Sequence, residues 1–173
     1  IVERKDGRLW MPMRIEGGVA ETTSQDGGIT WSPPIRSIIE GPGARFHVRR
    51  LRSGRLLMIN HVGFSRDVPV YAQRSHLTAM LSEDDGRTWP HRLLLDDRSG
   101  VSYPDGAEGS NGFLYIAYDH GRYAKDEQEI LFAKFTEADV KAGKLLDPDS
   151  RLRQLINRLA DAGGGVRFTR ESQ

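Results

Sequence analysis

The sequence predicts an all-β protein built from repeated antiparallel sheet units, and three observations carry that prediction. The pattern S-x-D-x-G-x-T-W occurs twice, as "SQDGGITW" at Ser24–Trp31 and "SEDDGRTW" at Ser82–Trp89, a spacing of 58 residues. Regular internal spacing on this scale marks repeat architectures, with propeller blades at the long end of the range. Around both copies the chain reads as short apolar-rich runs bounded by Gly, Pro, Asp and Ser, the pattern of an antiparallel array.

In chain order, "RLWMPMRI" (8–15) and "GVAETTS" (18–24) are strands split by Gly17-Gly18. The octapeptides suit hairpin turns. Asp26 and Asp84 can accept hydrogen bonds from turn amides, and Gly28 and Gly86 can take positive φ at low cost. Trp31 and Trp89 then begin the runs "ITWSPPIRSII" (29–39) and "TWPHRLLLDD" (88–97). Between the copies stand "ARFHVRRL" (44–51), "GRLLMINHV" (54–62) and "SHLTAMLS" (75–82). A calcium loop is the functional rival for the octapeptides, but the oxygen ladder D-x-D-x-D-G…E is absent.

The later part changes character. In "FTEADVKAGK" (135–144), Thr136 and Asp139 offer N-terminal capping of a short helical turn and Gly143 can end it. Beyond it, Leu152, Leu155, Ile156 and Leu159 fall at i, i+3, i+4 and i+7, a helical stripe with Asp or Ser at its start and Gly163 at its end, which reads as a helix packed against the sheets or one that binds a partner. The organisation expected is three blades at about 1–40, 41–98 and 99–146, then a helix and tail over 147–173.

Composition narrows the function. Twenty-five basic residues nearly balance 24 acidic ones, which argues against a nucleic-acid footprint or a basic membrane-binding face. No apolar run approaches the ~18 residues needed to span a bilayer. The chain has no cysteine, so disulfides and thiolate zinc sites are excluded. The histidines at 47, 61, 76, 91 and 120 show no metal-ligand spacing and read as surface or packing residues. "AGGGV" at 162–166 lacks the Lys-Ser/Thr of a phosphate loop. The basic run "HVRRLRSGR" (47–55) reads as a strand with a charged outer face.

The octapeptide is the Asp-box, here carried by Ser24, Asp26, Gly28, Thr30 and Trp31 and by Ser82, Asp84, Gly86, Thr88 and Trp89. Two copies one blade apart resemble the BNR-repeat proteins, above all the sialidases, over about Ile1 to Lys144. The resemblance implies a six-bladed β-propeller of four-stranded blades, with the Asp-boxes between third and fourth strands on the side away from the active site. It implies an exo-α-sialidase type of chemistry with no cofactor or metal. Three arginines grip the substrate carboxylate, a tyrosine paired with a glutamate is the nucleophile, and an aspartate is the acid/base. A neutral tyrosine suits a sugar whose anomeric carbon bears a carboxylate, because an anionic nucleophile would be repelled.

Residue by residue, "IVERKDGRLWMPMR" resembles the sialidase segment that ends in the second arginine and nominates Arg14, with the catalytic glutamate falling just before Ile1. "QRSHLTAMLSEDDGRTW" resembles the strand that enters an Asp-box and nominates Arg74. "SGVSYPDGAEGSNGFLYIAYD" resembles the nucleophile segment and places Asp119 as an arginine partner. Letter by letter, Val101 takes the nucleophile slot, while Tyr103 shares its strand face; both stay open. Glu21 either edges the pocket or is an ordinary strand glutamate.

The ligand implied is an acidic carbohydrate. The expected partner of the chain is the front half of the propeller or a second copy, and the family implies an extracellular or periplasmic location. Two rival readings stand beside a sialidase: a non-catalytic propeller module that binds glycans or proteins, and a hydrolase of a different acidic sugar.

Overall fold

The computed structural model describes residues 1–122 and 128–159. The described residues form three four-stranded antiparallel sheets, each a meander in chain order. The first holds β1 (Val2–Glu3), β2 (Leu9–Ile15), β3 (Gly18–Ser24) and β4 (Ile35–Arg36). The second holds β5 (His47–Arg50), β6 (Leu56–His61), β7 (Leu77–Ser82) and β8 (His91–Asp96). The third holds β9 (Val101–Glu108), β10 (Leu114–His120), β11 (Glu129–Phe135) and β12 (Arg151–Arg158). β1 packs beside β5 and β5 beside β9, so each sheet's first strand lies innermost. These are three successive blades of a β-propeller.

Alternation explains the stacking. In the middle blade, β6 and β7 are buried along their whole length. Leu57, Ile59, Leu77, Ala79 and Leu81 face the third blade and meet Val101, Leu114, Ile116 and Leu131. Leu56, Met58 and Met80 face the first blade and meet Val2, Trp10 and Val19. A strand buried on both sides needs apolar residues at successive positions, which is how "LLMI" reads. The basic run is not an outer face. Arg49 donates to the Gly106 carbonyl, Arg50 to that of Glu3 and to Asp85, and Arg52 to Glu108, so an inner strand is tied to both neighbours.

The octapeptides link β3 to β4 and β7 to β8. In each, the aspartate organises the turn. Asp26 accepts from Ser24 Oγ at 2.8 Å and from the Thr30 amide at 2.9 Å. Asp84 accepts from Ser82 Oγ and the Thr88 amide, both at 2.8 Å. Ser24 Oγ and Ser82 Oγ accept from the amides of Gly28 and Gly86. The third blade makes the same link with other residues. Here α1 (Glu137–Ala142) carries the expected capping box, Thr136 with Asp139, and ends at Gly143 in the left-handed region. The buried Asp139 carboxylate gathers the amides of Thr136, Leu146 and Asp147 and the Ser150 hydroxyl.

Hydrogen bonds from the Thr30 hydroxyl and amide hold the Asp26 carboxyl down from 3.8 to about 2. At Asp84 burial pushes upward, but bonds from Thr88 and Ser82 outweigh it and the result is again about 2. A depressed carboxyl stabilises the fold fully above 3.8 and loses that contribution as pH falls toward about 2. The Asp26→Asn/Asp84→Asn double variant should therefore melt below the parent at neutral pH, and the gap should close across this acid window. Circular-dichroism melts at stepped pH test this; parallel curves for the two proteins would contradict it.

The helix expected over 152–159 is instead strand β12. It pairs with β11 through Leu131↔Leu155 and Glu129↔Arg158, with two register shifts. Leu155 and Ile156 face solvent at 51% and 59% exposure while Leu152 packs against the core, so the four residues of the stripe do not form a helical seam. β11 offers an open hydrogen-bonding edge, and filling it outweighs the helical spacing of four residues. The third blade thus runs past 146, to Arg158. The expected helix end at Gly163, the run at 162–166 and the rest of the tail lie outside the described residues.

Candidate functional site

The strand directions fix where chemistry can gather. β2, β6, β8 and β10 end, and β5, β7 and β9 begin, at one end of the blades, here called the upper end. The octapeptides lie at the lower end. Arg14, Arg74, Tyr103 and Asp119 all lie at the upper end, near strand termini.

Arg14 and Tyr103 share a cleft. They line one cleft of about 410 Å³ with Ile1, Pro12, Arg45 and His47. Arg14 projects from the β2 face that carries Trp10, toward the second blade. Among the described residues it forms no ion pair, so its guanidinium stands ready for an anion.

Tyr103 reaches the cleft through a bulge. Ala117 pairs with Asp105 and Asp119 with Ser102, so Tyr103 and Pro104 together oppose Tyr118. Pro104 has no amide to give the ladder, and Tyr103 sits in the left-handed region at φ 53°. That conformation costs a non-glycine residue about 1–3 kcal/mol. A bulge re-aims a side chain, and here it turns Tyr103 outward while Val101 is fully buried in the core. Val101 does not reach the cleft. The bulge is anchored from below by His61, whose Nε2 lies 2.9 Å from the Val101 carbonyl.

Arg74 and Asp119 stand behind Tyr103 and do not line the Arg14 cleft. Arg74 donates to Ser102 Oγ at 3.3 Å, one residue before Tyr103. Asp119 is ion-paired with Arg122, whose guanidinium lies 4.0 Å from the centroid of the Tyr103 ring, a cation–π geometry. Burial pushes the Asp119 carboxyl up against the pull of Arg122, Arg74 and His120. Its Oδ1 is buried without a hydrogen-bond partner among the described residues. Asp119 and Arg122 face a second hollow of about 310 Å³ with His120, Glu129 and Asn157.

Glu21 is structural. It accepts from the Trp10 indole at 3.0 Å and from Ser37 Oγ at 3.1 Å. Sequence reasoning missed Arg45, His47, Asp105 and Arg122. Arg45 and Asp105 form an ion pair at 2.8 Å on the cleft wall. None of these four sits in a recognisable motif; Arg45, His47 and Asp105 meet because inner strands from successive blades start at the same end, while Arg122 follows β10 and lies over the Tyr103 ring.

Residues 1–116 match the model of the BNR repeat-like domain family. The chain belongs to that family. Among solved structures it is similar to the α-L-arabinofuranosidase Arb93A from Fusarium graminearum, solved with an iminosugar inhibitor. That likeness has a TM-score of 0.51 at 17% identity, over 87% of this chain and 47% of that one. It is also similar to the intramolecular trans-sialidase from Ruminococcus gnavus, solved with oseltamivir carboxylate. Here the TM-score is 0.47 at 15% identity, over 89% of this chain and 32% of that one. This BNR-repeat chain thus spans less than half the length of either. No curated protein matches it in sequence.

Proposed function

We propose that this BNR-repeat chain is the C-terminal part of a sialidase-like glycoside hydrolase, whose upper cleft takes the carboxylate of an acidic sugar. Arg14 binds the carboxylate from the cleft, Arg74 reaches it from the far side of Tyr103, Tyr103 is the nucleophile, and Asp119 holds Arg74 and Arg122 behind it. The observation that carries this reading is the shared cleft: an arginine without an ion-pair partner among the described residues lines it together with a tyrosine that a strained bulge turns outward. The glutamate of the sialidase pattern, expected just before Ile1, its first arginine and its acid/base aspartate are not among these 173 residues. A neutral sugar would leave Arg14 without a charge to meet, so an acidic ligand suits the cleft better.

Titration calorimetry with N-acetylneuraminic acid on the full-length protein tests the reading. Lysine cannot reproduce a guanidinium fork. Arg14→Lys or Arg74→Lys should therefore weaken binding by about 1–3 kcal/mol, roughly 5–150-fold. Lysine variants that bind as tightly as the parent would return both arginines to a structural role. Binding that survives in Arg14→Lys together with a complete lack of sialoside turnover would favour a non-catalytic glycan-binding propeller.

A further inference from the structure

We propose that His47, held by Asp105, is a proton acceptor for Tyr103 in the upper cleft, an inference that rests on the reading of Tyr103 as nucleophile. The two residues reach the cleft from neighbouring inner strands, His47 at the start of β5 and Tyr103 near the start of β9.

The geometry around the imidazole is that of an oriented base. Its Nδ1 lies 3.2 Å from Asp105 Oδ1. That carboxylate is itself fixed, Oδ1 accepting from the Gly106 amide at 2.9 Å and Oδ2 from Arg45 Nη2 at 2.8 Å. A carboxylate beside Nδ1 keeps the proton on that nitrogen and leaves the lone pair on Nε2. His47 Nε2 is buried and has no hydrogen-bond partner among the described residues. A buried acceptor without a donor is costly, so the site is built for a donor that arrives in the working state.

The charged surroundings are mixed. Asp105 on β9 favours the imidazolium; Arg45 and Arg49, flanking His47 in sequence, oppose it, and Arg14 from β2 lines the same cleft. Burial dominates and lowers the His47 pKa below its ordinary 6.5. At neutral pH the ring is therefore neutral, the form that can take a proton. The step breaks the Tyr103 Oη–H bond and forms Nε2–H. The electron pair stays on Oη as the nucleophile, and Asp105 stabilises the imidazolium. The sialidase resemblance gives this task to a glutamate preceding Ile1; His47 and Asp105 are an acceptor supplied by the described blades themselves.

The test needs no sugar. An aryl sulfonyl fluoride labels nucleophilic tyrosines: the Oη–S bond forms, fluoride leaves, and the phenolic proton passes to the base. Peptide mass spectrometry on the full-length protein reads Tyr103 against Tyr71, which is 59% exposed and serves as the internal reference. In the parent, Tyr103 labelling should fall as pH drops below about 6.5 through the titration of His47, while Tyr71 shows no such limb. His47→Gln should slow Tyr103 labelling about tenfold or more at neutral pH, remove the acid limb and leave Tyr71 unchanged. Asp105→Asn should shift the limb.

If His47→Gln does not fold, the parent's own pH profile decides. A Tyr103 that is unlabelled, or labelled without an acid limb, overturns the proposal. Calorimetry separates it from the sugar reading. Labelling that depends on His47 in a protein that binds no N-acetylneuraminic acid keeps the base and removes the acidic sugar. Sugar binding with labelling indifferent to His47 removes the base alone.

Discussion

Trp10→Ala is expected to lower folding stability by about 3–5 kcal/mol, the range for emptying a fully buried indole site. Trp10 is completely buried at the seam between the first and second blades, among Val19, Leu56 and Met58. Its indole N–H donates to Glu21, so truncation also takes one of two donors, the other being Ser37, from a half-buried carboxylate. The second octapeptide presses on the same ring. A Cβ on Gly86 would lie 3.2 Å from Trp10 Cη2, and Gly86 holds φ at +86°. Gly86→Ala should therefore destabilise as well, through crowding and left-handed strain together. Urea unfolding followed by tryptophan fluorescence measures both. The matched control lies in the octapeptides themselves. Trp89 is 8% exposed in the seam, whereas Trp31 is only half-buried, so Trp89→Ala should cost far more than Trp31→Ala. Equal losses at the two positions would mean that the repeat's turn, and not the blade seam, sets their worth.

That contrast shows what the residues disclose and what they do not. The octapeptides announce strand, turn and blade because their hydrogen bonds are local: Ser24, Asp26 and Thr30 meet within one turn. The same locality made α1 legible through Thr136, Asp139 and Gly143. The tail misled for the opposite reason. Leu152, Leu155, Ile156 and Leu159 match a helical stripe, but a stripe of four is weak evidence against an open strand edge that only the fold reveals. The site divides in the same way. Arg14, Arg74 and Asp119 are nominated by their places in blade phrases; all three lie at the upper end, but only Arg14 of them lines the cleft. Tyr103 over Val101 was undecidable from parity, because a bulge breaks the period of two on which parity rests. His47 and Asp105 stand 58 positions apart on different blades, and nothing in their spacing could bring them together.

The isolated 173-residue chain is expected to be dimeric or poorly soluble, because among the described residues two sheet faces lack the neighbour that the middle blade has on both sides. On the first blade, Leu9, Met11, Met13 and Ile15 form a half-buried row on the face opposite Trp10. On the third, Tyr115 stacks on Phe132 with centroids 6.0 Å apart, Phe113 lies 6.4 Å from Tyr115, and Ile130 is 45% exposed. Apolar patches of this kind drive association in water. A two-fold axis along the propeller axis would set the first blade of each copy against the third blade of the other. That closes a six-bladed ring without a residual face. In a full-length propeller further blades of the same polypeptide would occupy both faces, and that protein should be monomeric. Size-exclusion chromatography with light scattering should give the isolated chain a mass near twice 19.4 kDa, or show it lost to aggregation. Met13→Lys with Phe132→Lys places a charge on each open face and should shift the soluble protein toward monomer, since neither face can then be covered without burying an unpaired ammonium. A parent chain that runs as a single sharp species at 19.4 kDa and melts cooperatively would show that these faces are stable in water as they stand.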